Sequence, residues 1–521
     1  MSISMIRAQN PQGVVDAGTE LSGKAAALDG LIGEQVRAVN RLRQSWFGRA
    51  ANAAVARAYR DIQRQHLQHE LIQARADALS AGGAGMVAGR SVVLAWVAIA
   101  RSMFDVSDAG VVTPRPPNDT APWVAIAACY TTIIQQLIQT FLHLDGQLAG
   151  TLAAIARGDI PGNDPAPAGG FGPGIDPDGF NNGQLTFHQQ MAGFGDAETG
   201  AGGVGVPNTD LSIMGMTPDG RMFTIQGDTG VGMNPDTNGG PGARPPDGGN
   251  NSILYWKMDE HGKWVVDEVV KNPFPSQLGP GGKADISTIP TSTFNVGDTM
   301  YASVMNVDHW NGPPGQRPPG ESGWVSRSSE LWKSSDNGRT WARTSAVWRN
   351  DVDAPNNPFQ VQSFAPADDG YVYMYGTADG RTNDGLHMAR VPAQYVGDTS
   401  QYEYWNGTAF DHNQAQNSSP AVVQTPSGVS GIGEPNVHFY DNKVLLTFND
   451  ENGGVYTSSS TDGGVSWTDP TRVVSRGGVY GVFQSPFSGG DSIGATLSLW
   501  NPYGTALYEI ENQDTRNLGA Y

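Results

Sequence analysis

The chain has 521 residues, a formal net charge of −19 and a single cysteine, Cys129. Its length implies two or more domains, and one cysteine excludes an intrachain disulfide. Residues 1–160 carry 14 Lys and Arg against 12 Asp and Glu, so the negative charge belongs to the rest. An acidic region without a Lys/Arg cluster excludes the positive footprint that nucleic-acid binding requires.

Residues 14–42 place Val15, Leu21, Ala25, Leu28, Leu31, Ile32, Val36, Val39 and Leu42 at helical spacing. A break at Ser45-Trp46-Phe47-Gly48 is followed by a second helical run, 49–79, which Ser80-Ala81-Gly82-Gly83 is expected to stop. The two runs predict an antiparallel helical hairpin, with Gly48 permitting the tight turn. Further helices are expected at about 86–104 and 121–155, separated by Thr113-Pro114-Arg115-Pro116-Pro117. The most apolar stretch, 84–104, is interrupted by Arg90 and Arg101, so a buried helix is expected there and no membrane span. Residues 1–15 contain no continuous apolar core of the secretory-leader type.

On Trp46-Phe47-Gly48 in this setting, the first 80 or so residues resemble the WxG helical-hairpin proteins exported by type VII (ESX) secretion systems. The resemblance implies a targeting or pairing domain over 1–160, a helical secretion partner or chaperone, and a final location outside the cell or in its envelope. The export signal of that family, Tyr-x-x-x-Asp/Glu, is not matched: Tyr59 is followed at that offset by Gln63, and Tyr130 by Ile134.

Residues 161–205 are dense in Gly, Pro, Asp and Asn and are expected to form a linker, with one strand at about 184–189. From 206 to 521 one plan recurs five times. Hairpins turn at Asp219-Gly220, Gly297-Asp298, Asp368-Asp369-Gly370, Asp441-Asn442 and Gly489-Gly490, each followed by a more exposed strand pair. Repeats of this kind predict a five-bladed β-propeller, one four-stranded unit per blade. Ser334-Ser335-Asp336-Asn337-Gly338-Arg339-Thr340-Trp341 and Ser460-Thr461-Asp462-Gly463-Gly464-Val465-Ser466-Trp467 both match the Asp-box pattern, with a decayed copy at 259–264. Their aspartates are expected to hold turns and not to catalyse. The fold class is therefore multidomain, an all-α N-terminal part followed by an all-β propeller.

The first hairpin carries the strongest chemical signal. Folded about Asp219, it places Asp210 opposite Asp228. Directly opposed residues lie about 4.5–5.5 Å apart on one face. Two carboxylates so close raise one another's pKa and suit the acid and base of glycosidic cleavage, in retaining geometry at that separation. The other funnel-end candidates are Asp308, His309 and Trp310; Glu434 with Asn449; Tyr480 with Gln484; and Trp500 with Asn501. Together they offer hydrogen bonds for sugar hydroxyls and flat apolar faces for the ring. No metal or other cofactor is implied.

Thr209-Asp210-Leu211 with Gln226-Gly227-Asp228-Thr229, Gly433-Glu434-Pro435-Asn436-Val437, 479–486 and 497–503 resemble an actinobacterial family that includes endo-D-arabinanases, over about 205–511. The resemblance implies a five-bladed glycoside hydrolase acting on mycobacterial-type arabinan, with its essential aspartates at Asp210 and Asp228. A non-catalytic propeller that binds glycan or protein is the alternative. A sialidase, suggested by the Asp boxes, ranks lower, because the funnel-end segments supply almost no arginine.

Overall fold

The structure is a computed structural model that describes residues 1–46, 49–118, 120–156, 183–193, 209–229, 251–275, 287–311, 323–381, 384–474, 479–500 and 503–519. The chain divides into two compact units, residues 1–33 with 64–164, and residues 34–63 with 165–521. Residues 34–63, expected within a helical domain over 1–160, thus group with the propeller.

The helices are α1 (Ile3–Ala8), α2 (Pro11–Arg43), α3 (Arg49–Met103) and α4 (Ala121–Ala156), with a short hairpin of β1 (Phe104–Val106) and β2 (Val112–Pro114) before α4. In the first unit, Met86, Val93, Val97, Ala100 and Phe104 pack with Ala127, Ile134, Ile138 and Phe141. Both sets recur at helical spacing along one face. The expected stop at Ser80-Ala81-Gly82-Gly83 does not occur, because α3 runs through it. The glycines serve packing instead. A Cβ on Gly82 would come within 2.7 Å of Leu148, and one on Gly83 within 2.9 Å of Val15. Phe47 and Gly48, the expected turn, lie outside the described residues. Helices α3 and α4 each hold an 18-residue window long and apolar enough to cross a membrane, with mean hydropathy 1.6 and 1.3 and 28% and 17% buried. The apolar stretch at 84–104 is thus buried along one face of α3 and not all round.

Five antiparallel sheets form the blades of the second unit. The first is β4 (Asp210–Met216), β5 (Met222–Gly227), β6 (Ser252–Met258) and β7 (Trp264–Lys271). The second is β8 (Ser287–Val296), β9 (Thr299–Trp310), β10 (Trp324–Ser334) and β11 (Ala342–Arg349). The third is β12 (Val361–Pro366), β13 (Tyr371–Thr377), β14 (Leu386–Pro392) and β15 (Glu403–Trp405), with two short additional strands. The fourth is β18 (Gly433–Phe439), β19 (Val444–Asn449), β20 (Val455–Ser460) and β21 (Thr471–Val474), where β16 (Phe410–Asp411) and β17 (Ala421–Val423) are the additions to the third. The fifth is β22 (Val479–Gln484), β23 (Ile493–Trp500) and β24 (Tyr503–Asn512), completed by β3 (Gly183–Gly193). The innermost strands β4, β8, β12, β18 and β22 each touch the next, and β22 returns to β4.

Strand β3 lies within the segment expected as a linker. It pairs with β24 from Gly504↔Gly193 to Asn512↔Gly183, covering what would be an exposed edge. Buried hydroxyls and amides tie β8 to β12, β12 to β18 and β18 to β22, and tie β4 to β23 of the fifth blade. Phe364 N donates to Ser292 Oγ at 3.0 Å, Val437 N to Ser363 Oγ at 2.9 Å, Gln484 N to Asn436 Oδ1 at 2.8 Å and Leu211 N to Ser498 Oγ at 3.0 Å.

Both Asp boxes sit at third-to-fourth-strand turns. Asp336 accepts from Thr340 N at 2.9 Å and Asp462 from Ser466 N at 2.9 Å, while the Trp341 and Trp467 indoles donate to Gly338 O and Gly464 O at 2.8 Å. The indoles meet aromatics of the preceding blade: Trp341 meets Phe274 at 5.2 Å and Trp467 meets Tyr375 at 6.0 Å. In the decayed copy, Trp264 stacks on Phe487 of the fifth blade at 5.2 Å and meets Tyr59 of α3 at 4.9 Å. Arg60 also donates to Gly489 O at 2.7 Å.

Removing β3 should open the propeller. A fragment of residues 206–521 is expected to aggregate or to melt well below a fragment of residues 165–521. Calorimetry with size-exclusion chromatography checks this, and equal melting temperatures with both fragments monomeric would contradict it.

Candidate active site

The site lies where the innermost strands begin. The β4–β5 hairpin keeps its symmetry about Asp219 from Met216↔Met222 to Ile213↔Ile225, then slips by one residue so that Asp210 faces Gly227. The expected direct opposition of Asp210 and Asp228 therefore does not hold. The cause is a bulge at Leu211 (φ 68°) and Ser212 (φ 53°), both left-handed. Ser212 Oγ donates to Gln226 Oε1 at 2.8 Å and lies 2.6 Å from Thr505 Oγ1, and Thr496 Oγ1 donates to Ser212 O at 2.8 Å. The bulge turns Asp210 into the protein, where it is 6% exposed. Gly227 leaves room for it, since a Cβ there would lie 2.7 Å from Asp210 Oδ1.

Tyr480 Oη donates to Asp210 Oδ2 at 3.0 Å, and Tyr503 also hydrogen-bonds the carboxyl. The two phenol rings stack at 6.5 Å. Burial pushes the Asp210 carboxyl well above the usual carboxylate range and the neighbouring Asp228 charge pushes it further, against the opposing phenol hydrogen bonds. Burial likewise pushes both phenols well above their usual range, so they remain donors. Asp228 is itself left-handed (φ 36°), and its Oδ1 accepts from Ser287 Oγ at 2.9 Å. Left-handed non-glycine residues cluster at functional sites.

Opposite these groups, Arg381 grips Glu434 in a two-pronged ion pair, Nε to Oε2 at 2.9 Å and Nη2 to Oε1 at 2.6 Å. Its Nη2 also donates to Tyr480 O at 3.3 Å, and its guanidinium lies 5.1 Å from the centre of the Trp324 ring. Trp324 meets Trp310, which is 38% exposed, edge to face at 5.9 Å. Asp308 accepts from Arg327 Nη2 at 3.1 Å and lies 3.1 Å from His309 Nδ1. Behind this group, burial raises the Asp379 carboxyl to about 6, and that carboxyl holds Ser326 N at 3.0 Å and Asn350 Nδ2 at 2.8 Å.

The structure thus brings Asp210, Asp228, Glu434 and Tyr480 together, with Asp308, His309 and Trp310 on the second blade. Asn449 faces Gly433 at the same end, and its buried amide makes no hydrogen bond. Gln484 does not join them. It ends β22 at the opposite end of the strand, donating to Asn436 O at 2.8 Å and Leu445 O at 3.1 Å. The Trp500 side chain and Asn501 lie outside the described residues. Sequence reasoning did not assign Arg381, Trp324, Tyr503 or Ser287 to the site. Tyr503 ends one of the quoted motifs, and Arg381, Trp324 and Ser287 lie outside them.

A family model matches residues 197–509, which covers the blades from β4 into β24. The chain belongs to the family described as Domain of unknown function (DUF4185). No curated protein matches the chain. Among solved structures, the chain is similar to a Bacteroides ovatus protein provisionally assigned as a hydrolase, with 13% identity, 63% of this chain and 90% of that chain covered, and TM-score 0.42. It is also similar to RS223-β-xylosidase (10% identity, 60% and 96% covered, TM-score 0.37) and to an exo-1,5-α-L-arabinanase from a bovine ruminal metagenomic library (12% identity, 58% and 93% covered, TM-score 0.36).

The raised Asp210 pKa has a stability consequence. Below the ordinary aspartate range, folded and unfolded chains both hold the proton. As pH rises, the unfolded chain releases it while the folded site resists, so Asp210 costs stability. Asp210→Asn should therefore gain in melting temperature relative to the wild type between pH 4 and pH 8. A variant that falls further behind over that range would mean a stabilised carboxylate.

Proposed function

We propose that this protein is an endo-acting glycoside hydrolase that cleaves D-arabinofuranosidic linkages in arabinan, as found in arabinogalactan and lipoarabinomannan. The observation that carries the hydrolase reading is a buried carboxyl, Asp210, whose environment favours its proton, set beside a second carboxylate, Asp228, at the mouth of a propeller funnel. Pairs of titratable groups whose surroundings push their pKa values apart are how one site supplies both acid and base. The substrate class rests on the resemblance of the 209–229, 433–437, 479–486 and 497–503 segments to endo-D-arabinanases.

In this reading Asp210 gives its proton to the leaving glycosidic oxygen as the bond to the anomeric carbon breaks. Asp228 acts from the other side, as nucleophile on that carbon or as base towards a water. Tyr480 and Tyr503 hold the Asp210 carboxyl in one orientation. Arg381 fixes Glu434 in a two-pronged ion pair, which orients its carboxylate to accept hydrogen bonds from sugar hydroxyls. The exposed Trp310 offers a flat face for a sugar ring. Arg327 and Arg381 are engaged by Asp308 and Glu434, which disfavours a sialidase, since that chemistry needs arginines available to a substrate carboxylate. The helical N-terminal part would serve export by a type VII-like route with a helical partner, placing the enzyme outside the cell or in its envelope.

Incubating the full chain with arabinogalactan should release oligoarabinosides of several lengths. Asp210→Asn and Asp228→Asn should each reduce release by about a hundredfold or more while remaining folded. Binding of arabinan with no product from the wild type would replace the enzyme with a glycan-binding propeller. Activity within about threefold of wild type would remove the substituted residue from the mechanism.

A further inference from the structure

Helix α3 carries a second constellation that the propeller chemistry does not use. His66, His69 and Glu70 occupy positions i, i+3 and i+4, which share one helix face. One ligand atom from each lies within 4.8 Å of the others. Among the described residues, no other group of three His, Cys, Asp or Glu side chains brings its ligand atoms this close. Glu70 Oε1 lies 3.8 Å from His66 Nε2 and 3.6 Å from His69 Nδ1. The imidazole rings are near parallel at 29°, with centroids 6.2 Å apart. His66 is 7% exposed and His69 17%, so two imidazole rings are drawn out of water on a helix that also buries Val55, Ile62 and Ala76. His69 Nδ1 makes no hydrogen bond.

The geometry points to a divalent transition-metal site of the zinc type on this helix, formed by His66, His69 and Glu70. A tetrahedral ion about 2.0–2.1 Å from imidazole nitrogen and 2.0–2.2 Å from carboxylate oxygen needs ligand atoms about 3.3–3.5 Å apart. The separations to Glu70 exceed that by a few tenths of an ångström and all three ligand atoms lie within 4.8 Å of one another, so side-chain rotation draws them together on binding. Two neutral imidazoles and one carboxylate favour Zn²⁺, Ni²⁺ or Cu²⁺ over Mg²⁺ and Ca²⁺, which prefer all-oxygen sites. Three protein ligands leave a further position for water or another donor. His66 stands three residues before His69 and four before Glu70, spacings that make side chains neighbours on a helix.

The test is titration calorimetry of the full chain, stripped with chelator, with Zn²⁺ and separately with Mg²⁺. The wild type should bind one equivalent of Zn²⁺ at this site and no Mg²⁺ there. His69→Gln and Glu70→Gln, both on the less buried side of the group, should each weaken that Zn²⁺ equivalent at least tenfold, with circular dichroism unchanged. His143→Gln on α4 should leave it intact. Absence of Zn²⁺ binding in the stripped wild type would overturn the site, as would an unchanged isotherm in both His69→Gln and Glu70→Gln. Arabinan hydrolysis by the stripped protein does not enter the test.

Discussion

The end of the propeller that carries Asp210 depends on two consecutive left-handed residues, Leu211 and Ser212. Each such residue costs of order 1–3 kcal/mol and persists only where its surroundings over-determine it. Here the surroundings are the fifth blade. Ser498 takes the Leu211 amide, Thr505 lies against the Ser212 hydroxyl, and Thr496 donates to the Ser212 carbonyl. Ser498 and Thr496 stand on β23 and Thr505 on β24, and β24 is held on its outer side by β3. The seam where the ring closes is thus also the seam that shapes the bulge, and the bulge turns Asp210 inward.

Once turned in, Asp210 is surrounded by groups that separate its behaviour from that of Asp228. Gly227 offers space without a side chain, two phenols donate, and Asp228 supplies a neighbouring charge. Asp228 keeps a hydroxyl partner on the second blade through Ser287, so the two carboxyls are anchored to different neighbours. The third and fourth blades contribute a neutralised pair, Arg381 and Glu434, whose guanidinium also spans to Tyr480 and Trp324. Side chains from all five blades meet in one network, which no single hairpin could assemble.

Much of this organisation was readable from residue order, and the failures have local causes. The five inner hairpins turn where Gly and Asp predict, because those turn types need particular residues. The Asp boxes form as expected, since Asp, Gly and Trp there satisfy one another within a few residues. The Asp210–Asp228 register slipped by one because the bulge is set by hydroxyls nearly 300 positions away, which hairpin symmetry cannot convey. The stop at Gly82-Gly83 failed because close helix packing, and not turn formation, uses those glycines. Gln484 was assigned to the wrong end of its strand, where it bonds backbone carbonyls of the fourth blade. Arg381 was not assigned to the site because its partner Glu434 lies 53 positions away on another blade.

The central claim is that burial and the neighbouring Asp228 charge push the Asp210 carboxyl well above the usual carboxylate range in the folded protein. Infrared difference spectroscopy on protein with ¹³C-labelled aspartate, wild type minus Asp210→Asn, measures this directly. At pH 7 a protonated carboxyl band should be present in the wild type and absent in Asp210→Asn. In Asp228→Asn that band should titrate away at lower pH than in the wild type, because the neighbouring charge is gone. A wild-type difference spectrum showing only ionised carboxylate at pH 7 would contradict the account.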